Sequence, residues 1–242
     1  IEKHEERFKP LAGALGLDPE TTDKILYDHF KPEWVDAYFK YLLHPLEEQG
    51  VDFWWLDYGG HGPPTQIEGL DPFLWLNAIH YMDRARDGRR GLMFSRWGGL
   101  ANHRYQIGFS GDTYSTWETL LFQPSFTATA GNVCFPYWSH DVGGHLPGPC
   151  EPEMYVRWIQ SAVFSPTLRT HATRDPGAER RIWAFPDEYF QAAREAFHLR
   201  YSLIPYIYTA ARQAYDEALA LCRPLYCEWP EVHEAYGGAE FL

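Results

Sequence analysis

Basic residues are scarce in this chain. Lys and Arg number 21 against 33 Asp and Glu, a formal net charge of −12. That surplus repels a phosphate backbone and excludes broad electrostatic nucleic-acid binding. Cysteine is nearly absent: Cys134, Cys150, Cys222 and Cys227 include no CxxC pair and are too few for a disulfide scaffold. No apolar run approaches the roughly 18 residues of a membrane span, and the charged opening from Ile1 to Pro10 has no signal-peptide core. There is no P-loop and no GxGxxG, so nucleotide readings lack support. Gly108-Phe109-Ser110-Gly111 is not a GxSxG elbow, because its serine directly precedes the second glycine. Low-complexity stretches and solenoid periods are missing as well.

What remains is an aromatic-rich chain of 242 residues, 45% hydrophobic, with ten Trp and sixteen Tyr. That length supports one large domain or two small ones with a sizeable core. Aromatic faces with polar edges suit flat, hydroxylated ligands such as sugars, although large cores use them too.

Along the chain, a short apolar run followed by a polar residue, a turn and a helix recurs about five times. Residues 1–32 read as a polar helical appendage, with helix-start chemistry at Pro19 to Lys24 and little apolar periodicity. From Pro32 the apolar residues Trp34, Val35, Tyr38, Phe39, Leu42 and Leu43 fall at helical steps, and Gly50 stops that helix. Val51 to Leu56 predicts a strand buried on both faces. Further strands are expected over 91–95, 105–110, 133–138 and 165–169. Helices are expected over 72–87, from about 115, over 152–164, and over 187–220 with a break at Pro205. The alternation predicts an α/β fold with a parallel sheet and crossover helices. In a β/α barrel the chemistry sits at the carboxyl ends of the strands. Those ends carry Asp57, Arg96, Asp112, Asp141 and His171.

Asp57 and Asp112 are the paired carboxylates that glycoside hydrolysis uses across a scissile bond. An aspartate after a strand is more commonly a turn former or helix cap; five polar residues at one rim tilt the balance toward a site. Arg96 and His171 suit sugar hydroxyls, and Arg96 also suits an ionised carboxylate. Trp54, Trp55, Phe109 and Trp138 offer an apolar platform, although alternation along a strand sends about half of them into the core. The histidines His103, His140, His145 and His171 lack HExxH spacing, so a metal site has weak support.

In this order, the segments resemble glycoside hydrolase family 31, the retaining α-glucosidase and α-xylosidase family. Trp54-Trp55-Leu56-Asp57 is similar to its nucleophile strand, W-[IL]-D-M-N-E. Arg96, sixteen residues before Asp112, and Phe109-Ser110-Gly111-Asp112 resemble the family arginine and its W-x-G-D acid/base motif. Trp138 to Gly144 resembles G-x-D-I-G-G-F, Arg169-Thr170-His171 resembles R-x-H, and Leu199 to Tyr208 resembles the helix after the last barrel strand. The resemblance implies a TIM (β/α)8 barrel, of which this chain covers about strands 4–8. Residues 1–32 would be an N-terminal segment, 33–222 the catalytic barrel segment, and 223–242 an exit toward a C-terminal β-domain. It implies Asp57 as nucleophile and Asp112 as general acid/base, their carboxyl groups about 5 to 5.5 Å apart. Arg96, Asp141 and His171 would hold the sugar in the −1 subsite, with Trp55 and Phe109 at its wall. The implied reaction is double displacement with retention, without cofactor or metal; the implied partners are a carbohydrate and either further domains or a second copy of the chain.

Three departures fall on pocket positions. Tyr58-Gly59-Gly60 replaces M-N-E, Phe109 stands where many relatives have Trp, and His145 takes the place of an aromatic, which makes it a further substrate contact. Family members are also far longer, so a catalytic fragment is expected. The competing readings are α-glucan lyase or transglycosidase chemistry, a non-catalytic carbohydrate-binding fragment, and a metal-dependent hydrolase using His140, His145 and His171.

Overall fold

A computed structural model of the chain describes residues 1–57, 67–96, 99–105 and 107–237. The departure at Tyr58 to Gly60, Gln106 of the third expected strand, and the exit at Gly238 to Leu242 lie outside the described residues. Two compact units divide the chain, residues 1–106 and 107–242.

The first unit opens on α1 (Phe8–Ala14), which buries Phe8, Leu11 and Ala12. These join Ile25 and Ala37 in one cluster, with Trp34 and Leu42 packed on it. The opening segment is therefore built into a core and is not a polar appendage. The helix start expected at 19–24 is instead a turn followed by an antiparallel bridge, Glu2 to Lys24. Next, α2 (Pro32–Tyr38) begins with proline at its first turn, where a missing N–H costs nothing. It runs through a π-helical turn, Phe39–Leu43, into α3 (His44–Glu48), and Gly50 follows at φ +117°. Strand β1 (Trp54–Leu56) leads to α4 (Pro72–Arg84), whose start is capped by the Asp71 carboxylate accepting from Phe73 N at 2.8 Å. Strand β2 (Met93–Arg96) lies parallel to β1 in the register Trp54 to Met93, Trp55 to Phe94 and Leu56 to Ser95.

β2 is buried, but β1 is not buried on both faces as the apolar run predicts: Trp54 and Leu56 are half-buried and Trp55 is exposed. An ionic network anchors β1 instead. Glu47 accepts from Trp54 Nε1 at 2.7 Å and pairs with Arg84 at 2.7 Å and Arg86 at 2.5 Å, while Arg84 also donates to Asp52 O.

The second unit begins with β3 (Ile107–Phe109), then α5 (Trp117–Ala130), with Thr116 Oγ1 accepting from Thr119 N at its start. Next come α6 (Pro152–Ala162), α7 (Asp187–Ser202) and α8 (Ile204–Glu217), the last two meeting at Leu203 just before Pro205. The helical spacing of Met154, Tyr155, Trp158, Ile159 and Ala162 forms one buried stripe against Val142, Ala193 and Ala196. Each large side chain so buried contributes about 1.5–3 kcal/mol. Arg200 of α7 donates to Val163 O, Ser165 O and Pro166 O, satisfying carbonyls that the end of α6 leaves open.

The strands expected over 133–138 and 165–169 shrink to parallel bridges, Phe109 to Ser139, Ser139 to Thr167 and Val142 to Thr170. Pro136 and Pro166 supply no N–H to a ladder, and Cys134 at φ +66° turns the chain. Phe135 and Trp138 bury themselves with Phe126 and Ala130, so Trp138 is core and not a platform.

His140 lies wholly inside, its ring 6.3 Å from that of Trp158, with neither nitrogen partnered among the described residues. Burial pulls its pKa down to about 3. The unfolded chain would take up that proton near the ordinary histidine value of about 6.5. Its contribution to stability is therefore complete above that value and lost as pH falls toward 3. Between about pH 6.5 and 4.5 the loss should reach about 2–3 kcal/mol. His140→Leu should flatten this slope in urea unfolding across those pH values; an unchanged slope would mean that another group sets it.

Candidate active site

Alternation along β1 puts Trp55 and Asp57 on one face, and the β1–β2 register brings Phe94 and Arg96 beside them. The Trp55 and Phe94 rings meet edge to face at 5.1 Å. One step further, Arg96 Nε donates to Asp57 Oδ1 at 2.5 Å. The carboxylate keeps 35% of its side-chain surface open, whereas the guanidinium is largely covered at 11%. A covered cation against an accessible carboxylate holds the anion in place without blocking it. Beneath β2, buried Asn77 of α4 donates to Ser95 Oγ and Asn102 Oδ1, both at 3.2 Å. No pattern in the sequence singled out Asn77.

In the second unit Asp112 follows Gly111, whose φ of +85° favours glycine. Three further residues of the rim converge. His145 Nε2 lies 3.9 Å from Asp112 Oδ2, and the His145 and His171 rings stack at 4.7 Å. Asp141, His145 and His171 present ligand atoms within 4.8 Å of one another. Asp141 is fully buried and accepts from Arg169 through Oδ1, while its Oδ2 has no partner among the described residues. Burial raises the Asp141 pKa against the opposing pull of Arg169, and burial lowers that of His171. A raised carboxyl and a neutral imidazole are ready hydrogen-bonding groups for hydroxyls.

Phe109, only 1% exposed, lies under the Arg169 guanidinium at 5.0 Å. Arg169 was legible only as part of an R-x-H string; its pairing with Asp141 was not. The His140 ring stacks on Trp158 of α6, and the close-set group holds Asp141, His145 and His171, so the expected trio His140, His145 and His171 does not assemble among the described residues. Asp141 replaces it in the cluster. One carboxylate and two imidazoles are a donor set suited to a transition metal, but the Arg169 guanidinium already holds the carboxylate.

Parallel segments with helices between them and polar residues at their carboxyl ends are the arrangement of a β/α barrel. The description "Glycosyl hydrolases family 31 TIM-barrel domain" matches residues 12–210. The chain belongs to glycoside hydrolase family 31, and its fold is of the α/β TIM-barrel type. It is 28% identical to an alpha-xylosidase of Saccharolobus solfataricus over 97% of this chain and 34% of that protein. It is 33% identical to human neutral alpha-glucosidase AB over 72% of this chain and 18% of that protein. A family 31 dextranase from Flavobacterium johnsoniae, solved with isomaltotriose, superposes with a TM-score of 0.78 at 25% identity, over 99% of this chain and 34% of that one. The chain thus spans about a third of the length of the xylosidase and the dextranase and less of the glucosidase. Among the described residues no helix is long and apolar enough to cross a membrane.

Proposed function

We propose that the protein is a retaining α-glycoside hydrolase, with residues 33–222 as its catalytic barrel segment. Asp57 attacks the anomeric carbon as the bond to the leaving oxygen breaks, and Asp112 gives that oxygen its proton. Asp112 then takes a proton from water, whose oxygen displaces Asp57 from the same carbon. Two inversions give net retention. Arg96, Asp141 and His171 hold sugar hydroxyls, Trp55 walls the subsite, and His145 lies beside the acid; Phe109, expected at the wall, is buried beneath Arg169 and supports that guanidinium instead. The chemistry requires the Asp57 and Asp112 carboxyl groups about 5 to 5.5 Å apart.

The observation that carries this reading is the accessible Asp57 carboxylate fixed by covered Arg96 at adjacent strand ends. Family membership and the names of the relatives, which act on α-xylosides, α-glucosides and dextran, support it. The natural protein should cleave aryl α-glycosides and release the α-anomer first, followed by NMR before mutarotation. First release of the β-anomer would overturn retention, and an anhydro-sugar would mean a lyase. Activity lost to a chelator and restored by zinc would mean a metal-dependent hydrolase.

A further inference from the structure

We propose that Arg180 is a positioning residue that locks the Gly143–Gly144 turn and so sets His145 against Asp112 and His171. Its catalytic consequence rests on the function proposed above; its structural part does not. Gly143 and Gly144 have φ of +96° and +80°, the left-handed region in which only glycine is unstrained. Two successive residues of this kind leave their carbonyls in need of a donor, and Arg180 supplies it. Its Nη2 donates to Gly143 O at 2.7 Å, to Gly144 O, and to Ser115 Oγ at 3.2 Å. Ser115 Oγ in turn donates to Gly143 O.

The turn is also pinched sterically. A Cβ on Gly143 would run into the Arg180 guanidinium, and one on Gly144 would stand 2.7 Å from Ser115 N. Arg180 is itself held. Its guanidinium lies 5.6 Å above the ring of buried Tyr155, Tyr155 OH donates to Arg180 O at 2.7 Å, and Nη1 donates to Glu179 O at 2.7 Å.

The clamp matters because of what the turn carries. His145 N and Leu146 N donate to Thr113 O at 2.9 and 3.0 Å, stitching the turn to the residue after Asp112. Thr173 N donates to His145 O at 2.8 Å, stitching it to the segment after His171. One guanidinium therefore ties together the three segments that bear Asp112, Asp141 with His145, and His171. Its side-chain hydrogen bonds run to the carbonyls of Gly143, Gly144 and Glu179 and to Ser115 Oγ, so it acts through the backbone. A lysine would keep the charge but lose the planar fork.

The test is amide hydrogen exchange and steady-state kinetics on Arg180→Met, Arg180→Lys and Ser115→Ala. In Arg180→Met, exchange at Gly144, His145 and Leu146 should quicken by about tenfold or more, with the amides of α1 unchanged. Its kcat should fall by about 10–100-fold with KM within about threefold, and added guanidinium should restore part of it. Arg180→Lys should fall between. If Arg180→Met loses protection throughout, Ser115→Ala and Arg180→Lys decide, by quickened exchange confined to the turn. Unchanged exchange at the turn overturns the proposal, as does a raised KM with intact kcat, which would make Arg180 a substrate contact. A wild-type protein without turnover that still shows the exchange pattern sinks the functional reading and leaves the clamp standing.

Discussion

Asp57→Ala in the natural protein is expected to lower kcat on aryl α-glycosides by about 10⁴-fold or more, as loss of a covalent nucleophile does. Arg96 Nε sits 2.5 Å from Asp57 Oδ1, so removing the carboxylate leaves a covered cation facing an empty place. Azide is small, anionic and nucleophilic enough to fill it. It should attack the anomeric carbon from the face Asp57 vacates, forming a C–N bond as the aryl oxide departs. One inversion of an α-glycoside gives the β-glycosyl azide, identified by NMR. Asp57→Asn separates charge from shape: its amide oxygen still accepts from Arg96, yet it cannot attack. A residual rate within tenfold of wild type in either variant would remove Asp57 from the mechanism, and an α-configured azide would place the missing nucleophile elsewhere.

Elements whose start chemistry and periodicity agree were legible in the sequence. The α4 helix carries Asp71 as cap and Pro72 in its first turn, and α6 carries Pro152 and a clean apolar stripe. The runs at 133–138 and 165–169 were not legible as what they are. An apolar run reads as a strand by composition, but Pro136 and Pro166 remove donors and only Ser139 and Thr167 pair. Phe135 and Trp138 of the first run are buried against Phe126 and Ala130 of α5, not within a sheet. The burial of α1 was not legible for the opposite reason. Phe8 stands between Arg7 and Lys9, and the partners of Phe8 and Leu11, namely Ile25, Trp34 and Ala37, are distant in sequence. Such a core exists only once the chain is folded.

The rim was legible as single positions and not as pairs. Asp57, Arg96, Asp112, Asp141 and His171 each follow an apolar run, and a parallel segment places each at its carboxyl end. Which cation meets which carboxylate depends on register. Asp57 with Arg96 follows from β1 lying parallel to β2, whereas Asp141 with Arg169 follows from the bridge of Val142 to Thr170. Arg180 left no trace, because its stretch between His171 and α7 has no period and its acceptors are backbone carbonyls.

Asp112→Ala should separate substrates by their leaving groups. A sugar hydroxyl departs poorly without a proton, so kcat/KM on an α-linked disaccharide should fall by about 10²–10⁴-fold. Dinitrophenolate needs no proton, so kcat/KM on its α-glycoside should stay near wild type. With that substrate the second step becomes limiting, because no base activates water. The glycosyl-enzyme then accumulates, and kcat and KM should fall together. Azide needs no base; it should attack that intermediate and give the α-glycosyl azide, opposite in configuration to the Asp57→Ala product. His145 makes the result discriminating, since its Nε2 is 3.9 Å from Asp112 Oδ2 and an imidazole can also donate a proton. Were His145 the acid, Asp112→Ala would lower all substrates alike, and His145→Ala would show the leaving-group dependence instead. Steep dependence in Asp112→Ala with a flat response in His145→Ala assigns the proton to the aspartate, and leaves the imidazole the task of holding it.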